Sequence, residues 1–119
     1  MTVWMVHPDK KLDLSQAEIY GDIEFINSRY VYADELDDNN NMPAGVIKAI
    51  LKAVDSFDYD QDYLLIAGDH LQLIAMSAML QERWGFFRVL RYDREAKGYV
   101  SVNIGVEPHG QFDSLAQGQ

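Results

Sequence analysis

Tyr63-Leu64-Leu65-Ile66-Ala67-Gly68-Asp69, followed at once by His70-Leu71-Gln72-Leu73-Ile74-Ala75-Met76, is the stretch on which the fold turns. Five apolar residues in succession leave no polar face, as a central parallel strand covered on both sides requires. Gly68-Asp69 closes the run, and Asp69 is placed to accept a hydrogen bond from an orphan amide of a following helix. That helix is expected over residues 70–83, apolar on nearly every side and therefore deeply buried, with Gly85 as its left-handed stop. Its stripe Leu71, Ile74, Ala75, Ala78 and Met79 is assigned to the core.

Upstream of this unit, Pro43 presets the first turn of a helix over 43–57, where Val46 or Ile47, then Ile50, Leu51, Val54 and Phe57 recur at helical spacing with Lys48, Lys52 and Asp55 outside. Before it lie a polar loop over 28–41, a strand over 22–27 and one or two helical turns within 12–20. The chain opens on a β-branched and aromatic strand, 2–6, which ends at His7-Pro8-Asp9 and carries Trp4 toward the core. Downstream, strands over 86–92 and 100–104 flank the turn-rich 93–98 and read as a hairpin. Strand and helix alternate, so the chain is expected to form an α/β fold: a three-layer, Rossmann-like sandwich. Its sheet is mostly parallel, with an antiparallel hairpin at one edge. The expected order across the sheet is second, first, third, fourth, fifth strand.

A chain of 119 residues fits one domain, read as 1–106, with 107–119 too polar and Gln/Gly-rich to pack and expected to be disordered. Nineteen acidic residues against ten basic ones give a formal charge of −9, which opposes broad nucleic-acid binding. The absence of cysteine excludes disulfides, thiolate zinc sites and a cysteine nucleophile. The longest apolar stretch, 71–80, is broken by Gln72 and Ser77 and is far short of a membrane span, and the opening residues lack a basic-then-apolar signal. A cytoplasmic protein without membrane contact is expected.

In open parallel sheets, ligands sit beyond the carboxyl ends of the strands where the strand order reverses. Here that point lies between the first and third strands, where His7, Asp9, Asp69 and His70 would meet. Two imidazoles and two carboxylates suit acid-base chemistry or a divalent metal in a small-ligand enzyme. The plainer reading makes Asp69 a helix cap, His70 an exposed first residue and His7-Pro8-Asp9 a turn. Neither a glycine-rich dinucleotide loop nor a P-loop is present, and no Gly-x-Ser-x-Gly elbow supports a serine hydrolase. No cofactor and no metal are expected, and an enzyme is the less favoured reading.

Charge patterning points elsewhere. Residues 34–62 hold eight acids against two lysines, whereas 83–97 hold five bases against two acids. An acidic face bearing Tyr30, Tyr32, Asp34, Glu35, Asp37 and Asp38 suits docking on a basic protein partner, since aromatic anchors in a charged rim favour recognition and fast steering. The alternative is that these acids only keep a small protein soluble. The last strand, with Tyr99, Ser101 and Asn103 outward and Arg88, Arg91 and Arg94 nearby, is an edge that recruits a second copy or is blunted by its neighbouring cations. A virion or assembly component is a third reading, which requires a stable oligomer.

The segments Asp-Tyr-Leu-Leu-Ile-Ala-Gly-Asp (62–69) and Arg-Val-Leu-Arg-Tyr-Asp-Arg-Glu-Ala-Lys-Gly-Tyr-Val (88–100), with Tyr20-Gly21-Asp22, resemble a family of short uncharacterised proteins of tailed bacteriophages and viral metagenomes. The resemblance spans 1–104 and its motifs are structural: a strand, a capped helix and a hairpin. It implies a small phage accessory protein acting in the host cytoplasm or during DNA metabolism. Relatives would carry proline after the aspartate, where this chain has His70.

Overall fold

The computed structural model describes residues 1–105, so the tail expected over 107–119 lies outside the described residues. Strands β1 (Thr2–Met5), β2 (Asp22–Phe25), β3 (Tyr63–Leu65), β4 (Phe86–Asp93) and β5 (Gly98–Gly105) form one sheet in the order β2-β1-β3-β4-β5. β1 runs parallel to β2 and β3, β3 runs parallel to β4, and only β5 is antiparallel to its neighbour. The expected α/β architecture and strand order are both present. The apolar run ends sooner than its composition suggests, because the Ala67 amide turns back onto the Leu65 carbonyl (3.0 Å) and leaves Ile66 exposed.

Helices α1 (Ala44–Ser56) and α2 (His70–Trp84) lie on the same face of the sheet. Ile50, Ala53 and Val54 of α1 meet Leu73, Met76 and Leu80 of α2 above Leu64, Phe87 and Val89. The opposite face, built on Val3, Met5, Leu65 and Leu90, is covered by Leu14 and by Ala17 and Tyr20 of a single 3-10 turn, Ala17–Tyr20. A common hand of crossover explains this division. The chain steps one way from β1 to β2 and the other way from β2 to β3 and from β3 to β4, so the first connection must cross on the other side. The third layer is therefore one short turn with its flanking loop.

Helix α2 departs from its expected burial. Gln72, Leu73, Met76 and Leu80 are buried, whereas Leu71, Ile74 and Ala78 of the stripe assigned to the core face solvent, Ile74 at 65% exposure. The helix rests on β4 and against α1, and two contact surfaces cannot cover a cylinder that is apolar all round. Asp62 departs in the opposite sense. Counted by composition among the solvated acids, it is buried and accepts from the Thr2 amide (2.9 Å), the Trp4 indole (3.1 Å) and the Asp58 amide (2.9 Å). It fastens the start of β1 to the loop before β3.

Candidate functional site at the carboxyl edge of the sheet

The carboxyl ends of β1 and β3 meet through one hydrogen bond. Gly68 turns at φ 94°, and a side chain there would bring its Cβ within 2.9 Å of His7 Nε2, so glycine is required both for the turn and for the approach. The next amide, that of Asp69, donates to His7 Nε2 at 3.0 Å. An amide can only donate, so Nε2 is the unprotonated nitrogen and Nδ1–H donates to the Pro8 carbonyl at 2.9 Å. His7 is 6% exposed, both ring nitrogens are engaged, and it serves the turn.

Asp69 is fully buried and acts as the N-cap of α2, accepting from the Leu71 amide at 2.9 Å. Its other oxygen accepts from the Val31 amide (2.9 Å) and from the Gln72 carboxamide (3.0 Å). Burial pushes this carboxyl up, but the Val31 amide, the Gln72 side chain and the Leu71 amide outweigh it, and its pKa stands below the ordinary value. Gln72, also fully buried, gives its remaining N–H to the Arg29 carbonyl (3.0 Å) and accepts from Asn27 (3.0 Å). Together these groups form a saturated polar knot that ties the loop after β2 to the start of α2.

Of the four residues expected to converge, the structure joins two, His7 and Asp69, through the backbone. His70 is exposed on the first turn of α2, and one Asp9 oxygen accepts from the Lys11 amide within its own turn. Among the described residues, no three His, Asp or Glu side chains are grouped as metal ligands. Gln72, Asn27 and the Val31 amide were not singled out by sequence reasoning. One signal was present: Gln72 stands three residues after the cap Asp69, which is capping-box spacing. Its side chain nonetheless reaches the Asp69 carboxylate, because the Asp69 amide is taken by His7.

Val31 is buried, and the loop on either side of it presents Tyr30 and Tyr32, at 45% and 60% exposure, with ring centroids 5.0 Å apart. Tyr30 also meets the His7 ring edge-on at 6.2 Å. The acids beyond them divide into two kinds. Glu35 pairs with Arg29 at 2.5 Å and caps the Tyr32 amide, which holds its carboxyl below the ordinary range. Asp37 accepts from the Asn39 and Asn41 amides (2.8 and 2.9 Å) and closes its own turn. Asp34 and Asp38 are exposed and make no side-chain bond among the described residues. On the other side of the tyrosines a cavity of about 550 Å³ opens between the loops after β1 and β2, lined by His7, Asp9, Lys10, Lys11 and Arg29 as well as by the two phenol rings.

A Rossmann-like α/β domain with a polar knot beneath a tyrosine-bearing loop is thus the class of protein that fold and site define. The chain belongs to the Phage Pam3 gp32-like protein family, whose model matches residues 3–106. It is therefore a phage-type protein, as the resemblance in its strand, capped helix and hairpin implied. No curated protein and no solved structure matches it. Among the described residues no helix is long and apolar enough to cross a membrane.

Proposed function

We propose that this phage protein is a binding module that engages a host or phage protein through the loop 28–38 and modulates it. The observation that carries this reading is the clamp on Val31. A buried carboxylate holds the loop backbone at 2.9 Å directly between two exposed tyrosines, so the aromatic anchors start from a fixed base and lose little freedom on binding. Asp34 and Asp38, which are not used inside the loop, supply negative charge for a basic partner, while Glu35 and Asp37 maintain the loop's shape. The test is capture of partners from host and infected-host lysates by the wild type, by Y30A/Y32A and by D34N/D38N. One stoichiometric partner, lost with Y30A/Y32A and weakened with D34N/D38N in a salt-sensitive way, is the expected outcome. A partner retained equally by all three proteins would contradict the assignment.

The cavity beside the tyrosines favours a second reading, a small anionic ligand. Lys10 and Lys11 line it together with Asp9 and with Arg29, which is paired to Glu35, at the sheet edge where such folds take ligands. His7 and Asp9 of the set considered from sequence line it as well, so only the two lysines tip its charge toward an anion. Thermal stabilisation that grows with the concentration of phosphate or a nucleoside monophosphate, and that is lost in K10E/K11E, distinguishes it from the protein-binding reading.

A further inference from the structure

We propose that β5 is a self-association edge, and that two copies of the chain pair β5 to β5, antiparallel, to form one continuous sheet. β5 is eight residues long and ends the sheet among the described residues, so at every second residue its backbone N–H and C=O face away from β4. The Tyr99 carbonyl accepts from the Tyr20 hydroxyl at 2.9 Å, which leaves the later part of the strand as the open stretch among the described residues. Edge strands are normally guarded by charge, proline or a bulge. Gly98-Tyr99-Val100-Ser101-Val102-Asn103-Ile104-Gly105 contains no charged residue and no proline, and it pairs with β4 in unbroken register from Gly98 to Gly105.

Arg88, the cation opposite Asn103, is turned away from this edge. Arg88 lies over the Tyr63 ring at 4.5 Å and donates to the Asp60 carbonyl, both on the far side of β4 from the edge. Arg91 stands on β4, and Arg94 and Lys97 lie in the turn.

Two features select a second copy as the occupant. Each chain carries a formal charge of −9, and this uncharged strip allows two like-charged molecules to meet without juxtaposing acids. The strip is also self-complementary. A two-fold axis through Val102, normal to the sheet, sets Val100 opposite the partner's Ile104 and Ser101 opposite the partner's Asn103. It thereby extends the apolar row of Val100, Val102 and Ile104, which within one chain is only half covered, Ile104 being 39% exposed.

Sedimentation velocity on the full chain over a wide concentration range tests this. Mass should double with concentration, and the dimer should strengthen as salt screens the net charges. S101K/N103K places like charges opposite one another at exposed positions and should remain monomeric while still melting cooperatively, slightly below the wild type because a lysine at position 103 faces Arg88 across β4. S101E/N103E should do the same alone, and mixing the two folded variants should restore a dimer. A monomer at all concentrations, a dimer that persists in S101K/N103K, or two folded variants that fail to associate on mixing would each overturn the proposal.

Discussion

Two acid-rich regions frame the tyrosine loop. The stretch 58–69 carries Asp58, Asp60, Asp62 and Asp69, and the stretch 34–38 carries Asp34, Glu35, Asp37 and Asp38. Their composition is alike, but their roles differ. Asp62 and Asp69 are buried, and each collects three donors, several from residues far away in sequence. Acids of the second stretch either bond within a few residues of themselves or face solvent. A carboxylate is tolerated inside when converging N–H groups replace its hydration, and those donors come from strand ends and a helix start that only the tertiary fold assembles. The first region builds the base, and the second supplies the surface that the base presents.

That contrast can be broken by substitution. Asp69→Ala leaves the Val31 amide, the Leu71 amide and a Gln72 N–H without their acceptor, and should cost about 3 kcal/mol or more in chemical denaturation. Asp62→Ala removes three donors' acceptor at a partly solvated place, where water can replace some bonds, and should cost about 2 kcal/mol. Trp4 fluorescence should report that change, since its indole loses its partner.

Acid sharpens the same comparison. The folded Asp69 carboxyl lies below its ordinary value and returns to about 3.9 on unfolding. Its contribution is therefore complete above that value and is lost as pH falls through the lower folded one. Asp69→Asn should flatten the decline of stability below about pH 4 relative to wild type, and an identical acid limb would show that the carboxylate is not the group involved. Asp34→Ala with Asp38→Ala should change stability by no more than about 0.5 kcal/mol, because neither acid bonds within the described residues. Any loss of partner binding in that variant would then be a surface effect.

Much of the fold was legible because it rests on local signals. The apolar run 63–67, the Gly68-Asp69 stop, the cap and the turn-rich 93–98 set the elements, and the strongly apolar character of the first and third strands placed them at the centre of the sheet. Burial was legible over most of α1, where Ile50, Val54 and Phe57 are buried as their spacing requires but Leu51 is 49% exposed, and misleading in α2, where apolar residues on every side do not reveal which side meets the sheet. The cap Asp69 could be read from position alone. Its bonds to Val31 and the bonds of Gln72 to Asn27 and Arg29 could not, since they join segments 38 to 45 residues apart. Asp62 was hidden for the same reason: its partners Thr2 and Trp4 lie 60 and 58 residues away in sequence and are brought beside it only by the β1–β3 pairing.

Amide hydrogen exchange at Val31, followed residue by residue, is the most direct test of a clamped recognition loop. The account predicts that the Val31 N–H is protected to the level of the core strands, that Asp34 and Asp38 amides exchange freely, and that Asp69→Asn lowers protection at Val31 more than at β3. A wild-type Val31 amide exchanging as fast as that of Asp34 would contradict the account, because the tyrosines would then have no fixed base.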